Sequence, residues 1–409
     1  MAEEAGGGGR GGIRRGVGTG AVALLLVGTF GISLSYGMLL LLPLYVRELG
    51  GNEADFGVVL SSAAVPAVLC IGLLIRFPEA LRPHSLVALA IAVYAAAAVG
   101  ASLVGGGWTP LIGIGVLLGT AWAVVYTATP MVMSGMVTDG ERAAYFGYLT
   151  GTQQVGIGAG PVVARFLVET DLGFRGTFLA AGMVCLGAAA LTTAVGFLTP
   201  DPRARGNEDQ PGEPSATFRG AIGKIVRSEA VFSLLMVMLF ACLFTSLTQF
   251  QTTFASARDL EYSVFYVAYT VAVIASRFGL APLASRFDAR LVIATAVSVM
   301  SLAVAGFLTV GESVFLYAAV SAFVGLGYGL ALPSVQAQAV NVSDESVRPR
   351  VLPLAGLLFQ AAILVFPLFA GWLISAFGYP ALFAVLVSFA AAQAAIAWWR
   401  YAASGKAKQ

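Results

Sequence analysis

Residues 17–46 read VGTGAVALLLVGTFGISLSYGMLLLLPLYV, thirty positions without one charged side chain. An α-helix rises 1.5 Å per residue, so about 20 apolar residues cross the roughly 30 Å hydrocarbon core of a bilayer. This run is long enough to span with residues to spare, and too long for the apolar core of a cleavable signal peptide. The same test marks five more neutral runs before the middle of the chain, Phe56–Ile75, Ser85–Val104, Trp108–Val137, Ala143–Ala164 and Gly176–Leu198. Six follow it: Ala230–Ala257, Tyr262–Ala284, Leu291–Val310, Ser313–Val342, Val351–Phe377 and Tyr379–Trp399. Only Arg277 interrupts any of them. The expected fold is an all-α membrane protein of about twelve transmembrane helices in two six-helix halves.

The whole chain agrees with this reading. It has 409 residues, of which 58% are hydrophobic and 11% charged, against about 25% charged in soluble domains. A net charge of +2 gives no reason to expect a nucleic-acid partner. The three cysteines, Cys70, Cys185 and Cys242, lie inside apolar runs with no CxxC pair, as small buried residues do. No metal or other cofactor is expected.

The connections set boundaries and orientation. Residues 1–16, Gly-rich with Arg10, Arg14 and Arg15, read as a disordered cytoplasmic tail, and 401–409 as a second one. Residues 17–198 and 230–400 form the two halves. Between them, 199–229 is rich in proline and charge and cannot bury a core, so it reads as a cytoplasmic linker. Eighteen of the 23 Lys and Arg fall on the side of both termini and the linker, whereas the other side holds only Arg47, Arg165, Arg175 and Arg258. By the positive-inside rule, both termini face the cytoplasm of a plasma-membrane protein.

The halves echo each other. Gly119 and Gly325, Trp122 and Tyr328, Arg142 and Arg348, and Pro161 and Pro367 are each separated by 206 positions. A constant offset across the fourth and fifth helices of each half marks a pseudo-symmetric repeat, one of the recognised transporter plans.

With these features the chain resembles the major facilitator superfamily over nearly its whole length. Gly156-Ile-Gly-Ala-Gly160-Pro161, in the fifth helix, resembles the family's antiporter motif. Its two glycines let a neighbouring helix approach and its proline permits a bend. Arg277-Phe-Gly-Leu-Ala-Pro-Leu-Ala-Ser-Arg286-Phe-Asp288-Ala-Arg290 resembles the family's loop motif between two helices, with Ser285 and Asp288 at positions where the family usually has Asp and Gly. The first-half loop, around Arg76, Arg82 and His84, is more degenerate. The resemblance implies that Gly156, Gly160, Pro161, Arg277, Arg286 and Arg290 serve conformational change. It also implies a cavity lined by the first, fourth, seventh and tenth helices. A fourth-helix arginine common in proton-linked exporters is absent, its place taken by Gly115.

Every Asp and Glu lies in a tail, a loop or a helix end, and His84 lies in a loop. Arg277 either snorkels along its helix or pairs within the bundle. What remains for a site is aromatic and amide: Tyr36, Trp122, Tyr126, Gln153, Gln249 and Gln360 are the candidate cavity residues. Trp122 and Tyr126 stand one helical turn apart, and an amide in lipid needs external partners. Such a charge-free cavity suits a neutral or amphipathic small organic solute, and the motif in the fifth helix points to export. Hydrolytic chemistry has no membrane histidine, HExxH or aspartate pair to use, so no enzyme activity is expected. A sensor or scaffold that lost transport, and a lipid-moving protein of the same fold, are the competing functions. The expected partners are the solute and the bilayer, and the protein is expected to act as a monomer.

Overall fold

The computed structural model describes residues 18–76, 83–138, 141–199, 223–225, 227–284, 286–344 and 347–406. The expected tail over 1–16, most of the linker over 199–229, and the loop positions 77–82 lie outside them.

Among the described residues there are twelve long helices, one for each neutral run. The first half holds α1 (Thr19–Glu48), α2 (Glu53–Leu74), α3 (Pro83–Leu103), α4 (Leu111–Met136), α5 (Arg142–Val168) and α6 (Gly173–Leu198). The second holds α7 (Ala230–Gln249), α8 (Tyr262–Ala284), α9 (Ala289–Thr309), α10 (Val314–Asn341), α11 (Arg348–Phe377) and α12 (Tyr379–Lys406). After Phe250, α7 continues as Gln251–Ser256. Helices are the outcome because hydrocarbon offers backbone N–H and C=O groups no partner outside the chain. Twelve spans return the chain to the side on which it began, here termed the terminus side, opposite the far side.

Eleven of these helices are apolar enough to cross a membrane by length and composition alone. The exception, α5, carries Arg142, Arg165, Gln153, Gln154 and five glycines in 27 residues. Its length still gives about 40 Å at 1.5 Å per residue. Its polarity is tolerated because it is wedged between helices. A Cβ on Gly156 would lie 2.7 Å from the Ser33 Cβ of α1, one on Gly160 would run into the Gly37 backbone, and one on Gly158 would meet Thr270 of α8. The glycine motif is therefore the seam along which α1 and α5 touch backbone to backbone.

The pseudo-symmetry extends to contacts. Gly119 of α4 faces Ala63 of α2, and Gly325 of α10 faces Tyr269 of α8, each residue of the second pair standing 206 beyond its counterpart. Arg142 and Arg348 begin α5 and α11, and Pro161 and Pro367 lie inside them. Each proline lacks the N–H that would pair with the carbonyl four residues earlier, at Ile157 or Ile363. A helix of the same half covers both carbonyls: Gly37 of α1 packs so close that an added Cβ would stand 2.5 Å from the Ile157 oxygen, and Thr245 Oγ1 of α7 donates to the Ile363 oxygen at 3.1 Å. The halves meet where α2 lies on α11 and α5 lies on α8, with a Cβ on Gly57 reaching 2.5 Å from the Pro367 oxygen.

A cavity between the halves

The centre of the bundle is built around two rings. Tyr36 of α1 and Trp122 of α4 stack with centroids 4.0 Å apart and planes inclined by 22°. On the terminus side of this stack lies a cavity of about 620 Å³, its mouth included, into which Tyr126 and Gln153 also project. Gln360 and Tyr328 line it from the second half, as do Phe244 and Phe359. On the far side of the same two rings lies a second space of about 490 Å³, lined mainly by aliphatic residues with Phe56 and Gln249. Gln249 Nε2 donates to the Tyr36 hydroxyl at 2.8 Å, which ties α7 to α1 across the halves.

The structure brings all six candidate cavity residues to these two spaces, Gln249 to the far-side one and the other five to the terminus-side one, with Tyr36 and Trp122 shared. Exposure shows which way the terminus-side cavity opens. Trp122 is 9% exposed and Tyr126, one turn nearer the terminus side, is 39% exposed. Thr150, near the terminus-side end of α5, lines the cavity and is exposed as well.

Of the lining residues outside the candidate set, three bear directly on the chemistry of the cavity. Tyr328 carried a usable signal, since it is the 206-offset partner of Trp122. Gln154 adjoins Gln153 in sequence. Arg277 corrects the expectation of a charge-free cavity. It lines the cavity, half-buried, and its Nε is enclosed without a hydrogen-bond partner. It does not share the loop with Arg286 and Arg290. A π-helical turn over Ser276–Leu280 changes the phase of α8 at this point, so a regular 3.6-residue period could not place the side chain. The lining residues of both spaces include no Asp, Glu or His.

Arg286 is exposed beyond α8, and Arg290 Nη1 donates to the Arg400 carbonyl at 3.3 Å. Asp288, at the family's usual glycine position, caps α9 by accepting from the N–H groups of Arg290 at 2.8 Å and Leu291 at 3.4 Å. That is an ordinary N-cap role.

The chain matches the family profile described as Major Facilitator Superfamily over residues 24–313 and 259–409. The chain belongs to the major facilitator superfamily. Among solved structures, nucleoside transporter NupG superposes with a TM-score of 0.71 at 15% identity, covering 93% of this chain and 98% of that one. A point variant of NupG gives 0.72 at 13% identity, with 93% and 99% covered. A bacterial homolog of the human lysosomal transporter Spinster, described as inward-facing and unoccupied, gives 0.64 at 15% identity, with 92% and 93% covered. No curated protein sequence matches the chain. At these identities the structural likeness establishes the fold.

As in the superfamily plan, α1, α4, α7 and α10 contribute Tyr36, Trp122, Phe244 and Tyr328 to the lining, while Gln153, Arg277 and Gln360 come from α5, α8 and α11. On the far side the halves are joined by polar contacts at several points. Thr252 Oγ1 donates to the Leu40 carbonyl at 3.3 Å, where a 3₁₀ turn over Leu39–Leu41 loosens α1. Ser61 Oγ accepts from the Leu368 N–H at 3.0 Å, Ser375 Oγ donates to Asn52 Oδ1 at 3.2 Å, and Arg165 pairs with Glu261 at 3.0 Å. Polar contacts thus join the halves on the far side, while the exposed lining residues Tyr126 and Thr150 lie toward the terminus side.

Proposed function

We propose that the protein is a secondary transporter that moves a small amphipathic organic solute by alternating access, with the terminus side in the cytoplasm and export as its direction. The observation that carries this reading is the cavity between the halves, with the Tyr36–Trp122 stack as an apolar platform and Gln153, Gln154 and Gln360 as polar contacts around it. A mostly apolar pocket with a few converging polar groups is the usual form of a small-molecule site. The basic residues gathered on the terminus side support the orientation. An opening on that side lets solute load from the cytoplasm, which supports export, as does the Gly160-Pro161 seam of α5. One chain completes the cavity, so a monomer suffices.

The structural neighbours have different printed substrates or none, so the solute is sought by chemistry. Purified protein would be screened for thermal stabilisation against nucleosides, aromatic acids and amides, short lipids and cationic dyes. The stabilising compound would then be followed into and out of proteoliposomes. Counterflow of a labelled solute, weakened by Trp122→Ala in folded protein, is the expected result. Binding without movement would favour a sensor, and movement confined to lipid would favour the lipid-moving alternative.

A further inference from the structure

Arg277 is a charged group in an otherwise neutral site. It stands seven residues before the terminus-side end of α8 at Ala284, about 10 Å at 1.5 Å per residue. That is within reach of water by snorkelling, yet the side chain lines the central cavity instead. A guanidinium is always protonated, only donates, and is costly to enclose without an acceptor. Its Nε is buried and unpartnered, and none of the lining residues is a carboxylate.

A second observation points the same way. Gln154 is 8% exposed, lines the same cavity, and its Nε2 is also buried without a partner. It is bracketed on the α5–α8 seam: one turn before it a Cβ on Gly151 would lie 3.4 Å from the Phe278 ring, and one turn after it Gly158 abuts Thr270. Gln154 therefore sits level with the stretch of α8 that carries Arg277. An amide can present either end, but beside a fixed donor its NH₂ adds a second donor for one acceptor group.

We infer that Arg277 and Gln154 receive an anionic group, a carboxylate or a phosphate, on the transported solute, whose planar apolar part lies against the Tyr36–Trp122 stack. This rests on the transport reading above and specifies its substrate as an amphipathic organic anion. The solute's oxygens supply the anionic acceptor that the lining lacks, and the fork of the guanidinium suits two of them at once. The cavity is then an electrostatic site in its loaded form and an unsatisfied one when empty.

The test uses full-length purified protein and matched probes: 2-naphthoate with 2-naphthamide, indole-3-acetate with indole-3-acetamide, and 2-naphthyl phosphate with 2-naphthol. Charge-assisted hydrogen bonds of this kind give about ten- to hundredfold preference for the anion. Arg277→Gln is expected to erase that preference, and Arg277→Lys to restore part of it, keeping charge but losing the fork. Gln154→Leu is expected to weaken both anion classes several-fold. A merely structural role for Arg277 would move overall affinity and leave the anion-to-neutral ratio as it was. Should Arg277→Gln fail to fold, the ratios in Arg277→Lys and Gln154→Leu decide. Equal binding of both members of each pair by the wild type, with the neutral members transported, overturns this inference and leaves the transport reading standing. Failure to bind or move any screened solute overturns the transport reading instead. Dihexanoylphosphatidate serves as a further arm: if it alone binds, the anion belongs to a lipid headgroup and the soluble-solute assignment is wrong.

Discussion

Thr245 Oγ1 of α7 donates at 3.1 Å to the Ile363 carbonyl of α11, a carbonyl that Pro367 deprives of its helical partner. The proline would be costly in hydrocarbon if that oxygen were bare. Thr245→Val keeps the shape and removes the donor. The expected loss is about 0.5–1.5 kcal/mol, in the range for single hydrogen bonds within membranes and without. A fall of a few degrees in melting temperature, with faster amide exchange at Leu364–Phe366 and Leu368, is the expected signature. Unchanged exchange there would show that water, and not Thr245, satisfies the carbonyl.

In the other half the equivalent carbonyl, at Ile157, is covered by close packing of Gly37, which has no side-chain donor and which also packs on Gly160. Gly160→Ala places a methyl group against the Gly37 backbone, and overpacking of this kind costs about 1–3 kcal/mol. Gly113, in α4, has open space where a Cβ would go, so Gly113→Ala is the control and is expected to be neutral or slightly stabilising. Gly160→Leu is expected to abolish transport. Equal melting of the two alanine variants would remove the close α1–α5 seam from the account.

Closure of the far side rests on bonds that can be cut singly. Tyr36→Phe removes the hydroxyl that accepts from Gln249, and Glu261→Gln removes the charge that pairs with Arg165. Both Arg165 and Glu261 are partly solvent-exposed, at 32% and 51%, so that pair contributes at most about 1 kcal/mol and weakens with salt. A cysteine at Leu364, which lines the far-side space, is expected to react several-fold faster with an impermeant thiol reagent applied from the far side in either variant. An unchanged rate in the double variant would mean that packing alone holds the far side shut.

Orientation is tested by labelling in intact cells. Gly106 has nothing near its missing Cβ and Glu312 is exposed, so cysteines at these far-side positions are expected to react with an impermeant reagent from outside. A cysteine at exposed Asp344, on the terminus side, is expected to be protected. Asn52 is a poorer site because its side chain caps α2. The reverse labelling pattern would invert the assignment of the cytoplasm and the direction of transport with it.

Asp, Glu and His, the side chains most often used to couple solute movement to protons, are missing from the lining of both spaces. Binding of a solute whose own charge is constant is therefore expected to vary less than twofold between pH 6 and pH 8. A tenfold change in that window, or uphill solute movement driven by a pH gradient, would place a coupling group elsewhere in the chain.

The neutral runs determined the helices and their number, because a bilayer forces any long uncharged segment to satisfy its backbone internally. The 206-residue offset determined the pairing of halves: equivalent residues fill equivalent places, as the Gly119–Ala63 and Gly325–Tyr269 contacts show. The aromatic and amide candidates were legible because polar atoms in an apolar run must point to other polar atoms. Tertiary structure alone decided what the cavity is chemically. Arg277 is one letter in α8, and whether it reaches out to water or inward depends on a π turn and on the helix that packs across from it. The partner of the carbonyl freed by Pro367 was equally hidden, since Thr245 lies 118 residues from Ile363 and only the fold brings α7 against α11. Helix formation in a membrane is dictated locally, residue by residue, whereas the direction of a side chain and the identity of its partner belong to the packing of the whole bundle.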